Sequence, residues 1–178
     1  RFKIFTMIAD ENLKFLEIQI PWTEKYRKIE VVESLPKWLS RFFLFCWKKH
    51  IPIFSWIFDY RNLIVFYPEI MSILSRKIKK FWPERMVMSS YAIAKNVKIP
   101  QTCKHTKLYL HSPMQYIWSH REEYIWKFKW WKKKLFMSII PRLQKWDKQY
   151  TEFDEIIFNS NYTAWLAEEI YWMKWKVI

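Results

Sequence analysis

The stretch K-L-Y-L-H-S-P-M-Q-Y-I-W-S-H-R, Lys107 to Arg121, decides how the chain is read. Lys107 to Leu110 is short, apolar and bounded by polar residues, which suits a buried strand better than a helix. His111 stands where that strand should end, and Ser112-Pro113 stops it, because proline pushes its predecessor out of helical geometry. A polar, titratable side chain at the carboxyl end of a strand is where an open α/β sheet places its chemistry.

On the carboxyl side of that strand, Ser119 to about Phe128 and Pro141 to Glu152 read as helices. Pro141 suits a first helical position, and Leu143, Trp146 and Tyr150 mark the buried face. Glu155 to Phe158 reads as a strand, Ser160 as the cap of a helix through Tyr171, and Lys176 to Ile178 as the start of a last strand. On the amino side, Arg85 to Ser89 reads as a strand followed by a loop over Ser90 to Pro100. Before it, Asp59 caps a helix running to about Lys80, with Leu63, Tyr67, Ile70, Met71, Leu74 and Ile78 at helical spacing. Pro68 should kink that helix. Residues 38–58 form a dense aromatic tract that reads as short helices. Phe2 to Ile8 and Ile29 to Val32 read as strands, while Leu13 to Trp22 fits either type. Strands separated by helical stretches predict βαβ units, a parallel sheet and right-handed crossovers. With no linker, repeat or low-complexity segment, residues 1–178 read as a single α/β domain.

Hydrophobic residues make up 51% of the chain, which excludes a disordered tail. The formal net charge is +14, from 31 Lys and Arg against 17 Asp and Glu. That balance favours anionic partners, whether phosphorylated substrates, an acidic membrane face or nucleic acid. Two cysteines, Cys46 and Cys103, read as reduced thiols. Cys103, His105, His111 and His120 match no zinc spacing. Asp147, Asp154 and Glu155 read as helix-surface and strand-edge charges, with no carboxylate pair of the hydrolase kind.

The chain holds 13 tryptophans and no glycine. About 12 glycines would be usual at this length, and tight turns and helix ends need residues free to take positive φ. Trp172 follows a predicted helix end at Tyr171, and Trp175 stands in the turn before the last strand. The expectation is that some of these tryptophans are a reassigned stop codon, written as Trp where the source inserts Gly; the alternative, a tryptophan-rich, AT-biased sequence, does not explain a complete absence of glycine.

Several segments fall in an order that resembles the second half of the N-terminal domain of family-4 retaining glycosyltransferases, of the two-domain GT-B fold. They are S-S-Y-A-I-A-K-N-V (Ser89 to Val97), Y-L-H-S-P-M-Q-Y-I-W, E-E-Y (Glu122 to Tyr124), P-R-L-Q-K-W-D (Pro141 to Asp147) and F-D-E-I-I-F-N-S-N-Y-T-A (Phe153 to Ala164). The similarity covers about Met86 to Ile178. The resemblance implies a Rossmann-like parallel sheet whose opening strand and glycine-rich loop lie before this chain, and whose C-terminal nucleotide-sugar domain lies beyond it. It implies transfer of a sugar from a nucleotide-sugar donor to a saccharide or lipid-linked acceptor hydroxyl, with the anomeric configuration kept. No metal and no cofactor are expected, nor is nucleic acid as a partner, and the fragment alone should be inactive. The implied location is the cytoplasm, at the inner face of the membrane.

On this reading His111 is the catalytic candidate, since imidazole can donate or accept a hydrogen bond near neutral pH. The alternative is a buried, satisfied histidine. Ser112, Pro113, Tyr116 and Trp118 would shape an acceptor pocket, or Tyr116 and Trp118 simply pack a helix. Gln115 departs from the family, which often has arginine there. Asn159 and Ser160 open a helix where an anion or sugar could bind, or Ser160 is only an N-cap. Lys95 and Asn96 would line the same cleft. Trp126, Lys127, Lys129, Trp130, Lys132 and Lys133 interleave rings with lysines as an interfacial membrane anchor does, or form a solvated basic loop. The rival function is a non-enzymatic basic and aromatic module that binds nucleic acid or a membrane surface.

Overall fold

A computed structural model of the chain describes residues 3–6, 15–19, 26–36, 41, 45, 64–126, 128–149, 152–172 and 176–177. The expectations for Cys46, Asp59, Leu63, Lys127, Tyr150, Trp175 and most of the 38–58 tract lie outside the described residues. The chain divides into two compact units, Arg1–Ile78 and Lys79–Ile178. The division falls inside a helix, so no change of composition announces it.

The first unit carries strands β1 (Lys3–Thr6), β2 (Phe15–Gln19) and β3 (Tyr26–Glu33), in the order β1-β3-β2. β1 runs parallel to β3, and the Lys3 ammonium lies 2.6 Å from the carboxylate of Glu30, its register partner. β2 runs antiparallel to β3, with Leu16 opposite Ile29. This corrects the expectation of parallel pairing throughout. Residues 20–25 are too few for a crossover, which needs about a dozen or more, whereas an antiparallel neighbour needs only a turn.

Helix α1 (Tyr67–Phe81) buries Tyr67, Ile70, Met71, Leu74 and Ile78, the predicted stripe, with Ser75 added. Pro68 does not interrupt it. The residue sits in the first turn, where N–H groups have no intrahelical partner and a missing one costs little. Ser34 Oγ donates to the Ile70 carbonyl at 2.7 Å, and Lys77 Nζ donates to the carbonyls of Glu33 and Ser34. Together these tie the helix to the end of β3. Burial pulls the Lys77 pKa down, and the Glu33 charge opposes it.

The second unit is built on a parallel sheet of β4 (Arg85–Ser90), β5 (His105–Leu110), β6 (Glu155–Phe158) and β7 (Lys176–Val177), hydrogen-bonded in that order. Helices α2 (Arg121–Trp126) and α3 (Trp130–Asp147) lie between β5 and β6, and α4 (Asn161–Tyr171) lies between β6 and β7. These are the expected βαβ units. Alternation along β5 buries Thr106, Leu108 and Leu110 and leaves His105 and Lys107 exposed. Leu108, Leu110 and Phe158 join Met114, Ile117, Ile125 and Leu143 at the centre of the core, and none of these seven exceeds 2% exposure. Full burial of each such side chain stabilises by roughly 1.5–3 kcal/mol. On the other face of the sheet Val87 is 77% exposed, and Lys107 reaches its register partner Glu155 at 2.5 Å.

Helix α3 departs from the sequence reading. It begins at Trp130 and encloses Pro141, which had been expected at a first helical position. Phe136, Ile140, Leu143 and Asp147 form its buried stripe, at spacings of four, three and four residues. Pro141 is exposed and lacks only the N–H that would have met the Met137 carbonyl, so the stripe outweighs the break.

Candidate functional site

Because the second sheet is parallel, its strands end along one edge. Ser90, Leu110 and Phe158 are in register, so His111 and Asn159 step off that edge side by side. The His111 backbone N–H donates to the Ser90 carbonyl at 2.9 Å, which extends the ladder by one residue and fixes where the ring begins. Ser89 Oγ lies 2.9 Å from His111 Nε2, and the Tyr109 ring meets the imidazole edge to face at 4.7 Å between centroids. Thr163 Oγ1, in the first turn of α4, donates to the His111 carbonyl at 3.2 Å. Three elements therefore position one half-buried imidazole. The Ser89 hydroxyl can donate to Nε2 or accept from it, so the pair serves either neutral tautomer. Sequence reasoning singled out His111 but missed Ser89 and Tyr109, although their side chains follow from the two-residue alternation of β4 and β5.

Lys95 and Asn96 do not line an open cleft. Both are 1% exposed, in a 3₁₀ turn over Ala94–Asn96, and both meet Asp147 at the end of α3. Lys95 Nζ donates to Asn96 Oδ1 at 2.7 Å and to the Asp147 carbonyl, and lies 3.0 Å from Asp147 Oδ1. The Tyr171 ring sits 4.2 Å from the ammonium. Asn96 Nδ2 donates to Asp147 Oδ1 at 2.8 Å, while Trp118 Nε1 (2.8 Å) and the Tyr171 hydroxyl (2.6 Å) donate to Oδ2. Burial lowers the Lys95 pKa and Asp147 opposes the shift. Burial, with the Asp147 charge adding to it, holds the Tyr171 hydroxyl well above the usual tyrosine value. Asp147 is thus no helix-surface charge but the acceptor that closes a buried polar network. Its position on the Phe136–Ile140–Leu143 stripe was the signal in the sequence.

The other candidates divide. Ser112 is buried, with its hydroxyl donating to the Tyr91 carbonyl at 2.8 Å, and Pro113 is buried beside it. Tyr116 packs on Tyr124 with ring centroids 4.9 Å apart, and the Trp118 indole N–H is committed to Asp147. These four shape the loop after His111 from inside. Ser160 is the N-cap of α4, accepting from the Thr163 N–H at 3.2 Å, and Asn159 is exposed next to it. Trp126 and Trp130 are 84% and 79% exposed, with Lys129 and Lys133 exposed between and after them; Lys132 leans over the Phe128 ring. The tract is thus partly the start of α3 rather than a loop.

A cavity of about 800 Å³ lies elsewhere, lined among others by Lys98, Cys103, Thr106, Glu152 and Asp154. Thr106 and Asp154 belong to the amino ends of β5 and β6, so this cavity faces away from the His111 edge. The Cys103 thiol donates to the His105 carbonyl at 3.4 Å, and burial raises its pKa. Among the described residues no three His, Cys, Asp or Glu side chains cluster as metal ligands, and no helix is long and apolar enough to cross a membrane.

Compared with family models, curated proteins and solved structures, the chain matches none.

Proposed function

We propose that this chain is the acceptor-side part of a retaining glycosyltransferase with a GT-B architecture. A Rossmann-like reading is compatible with the parallel sheet of the second unit. The observation that carries the proposal is the placement of His111, one residue past β5 at the carboxyl edge, braced by Ser89, Tyr109 and Thr163. Ligands of open α/β sheets bind outside that edge. There the imidazole would lie near the donor sugar and the acceptor hydroxyl, sharing a proton with the group on which charge develops as the sugar is transferred. The nucleotide sugar is the donor substrate and a saccharide or lipid-linked hydroxyl the acceptor, as in the making of cell-surface polysaccharide. The test is sugar transfer by the enzyme that contains this chain, with the anomeric configuration of the product read by NMR. Retention supports the reading, and an inverted product rejects it.

One observation favours a surface role as well. Trp126, Trp130 and Trp131 are exposed beside Lys129, Lys133 and Lys134, in a chain of net charge +14. Rings at headgroup level with lysines on anionic lipid would hold such an enzyme at the cytoplasmic face of a membrane, close to a lipid-linked acceptor.

A further inference from the structure

Among the described residues two hold φ in the left-handed region, and both are tryptophans: Trp82 at 55° and Trp172 at 59°. Each follows the last residue of a helix. The Trp172 N–H donates to the Glu168 carbonyl at 2.8 Å with ψ at 39°, and the Trp82 N–H donates to the Lys79 carbonyl at 3.2 Å after Phe81. A left-handed residue that satisfies a terminal helix carbonyl in this way is the C-terminal position where glycine prevails, because any Cβ crowds the following carbonyl. A bulky aromatic there is a true outlier. Buried packing could hold an indole in such a conformation, but Trp82 is 69% and Trp172 85% exposed. The Lys148 ammonium, 5.4 Å from the Trp172 ring, is a weak surface contact.

Tryptophan is 13 of 178 residues, so random placement would seldom put it at both positions. The same chain has no glycine at all, although helix ends of this kind call for it. We infer that Trp82 and Trp172 are glycine positions, written as tryptophan from a reassigned stop codon that the source organism reads as glycine. Trp118 separates the two kinds of tryptophan. Its indole N–H is a donor to the buried Asp147 carboxylate, so glycine there would strip a partner from the network. The inference therefore requires two codons in the gene: the stop triplet UGA at Trp82 and Trp172, and the ordinary UGG at Trp118.

The test is peptide mass spectrometry of the protein from its own source, covering residues 82, 118 and 172, beside melting curves of the recombinant all-tryptophan chain. The expected result is glycine at 82 and 172 and tryptophan at 118. In the recombinant chain Trp82→Gly and Trp172→Gly should each raise the melting temperature by about 2 °C, while Trp118→Gly lowers it. Tryptophan in the native peptide at either 82 or 172 overturns the inference, and so does a fall in melting temperature on either glycine substitution.

Discussion

Lys95 Nζ lies 3.0 Å from Asp147 Oδ1, with the two side chains 2% and 0% exposed. Taking both charges out of water costs several kcal/mol per ion, and the pair persists because every donor around it is matched. The network joins the loop after β4, the loop after β5, and the ends of α3 and α4. Those are the segments that shape the ground behind His111.

Asp147→Ala should therefore destabilise the protein by about 3–5 kcal/mol, since it strands the buried ammonium together with three other donors. Lys95→Met should cost less, because Asp147 keeps Asn96, Trp118 and Tyr171. Urea unfolding of both single variants and the double variant gives the coupling energy directly. A loss below about 1 kcal/mol for Asp147→Ala would mean the network is incidental.

Asp154 makes an acid-side prediction. Its carboxylate accepts from the Thr106 N–H at 2.6 Å and the Thr106 hydroxyl at 2.9 Å, which holds its pKa below the ordinary aspartate value. A depressed carboxylate contributes stability that is present above its unfolded pKa and lost as pH falls through the folded one. Stability should thus decline below about pH 4, and Asp154→Asn should flatten that decline. Identical acid limbs in the two proteins would show that the hydrogen bonds do not persist in solution.

The exposed tryptophans and lysines at the start of α3 predict binding to vesicles with anionic lipid and none to neutral ones. At about 1 kcal/mol for each lysine near a charged surface, replacing Lys129, Lys133 and Lys134 by alanine should weaken sedimentation with such vesicles by well over tenfold. Equal binding to neutral vesicles would remove the charge argument. Steeply salt-dependent binding to single-stranded DNA would favour the nucleic-acid rival instead.

Much of the second unit was legible because its signals are local. Lys107 to Leu110 is short and apolar and Ser160 caps by residue type; in the first unit the stripe from Tyr67 to Ile78 likewise repeats at helical spacing. The rest depends on context that no single residue type carries. Asp147 reads from its residue type as a surface charge; its place on the buried stripe argues otherwise, but nothing local shows that Lys95, 52 residues away, meets it. Pro141 suits a helix start because proline chemistry favours that place, yet the run from Phe136 to Leu143 carries the helix across it. The antiparallel β2–β3 pair went unseen, since Leu13 to Trp22 shows no decisive period. Alternation puts Tyr109 on the same side of β5 as His111, and the parallel register, which pairs Ser89 with Tyr109, brings the Ser89 hydroxyl to the ring.

The most direct test of the proposed sugar transfer is the turnover of the His111→Ala variant beside the unaltered protein, with a saturating nucleotide sugar. Thr163 grips only the His111 backbone and Ser89 only its ring, so the variant should keep its melting temperature. Its kcat should fall by well over tenfold. An unchanged kcat with an intact fold would contradict a catalytic role for the imidazole at the sheet edge.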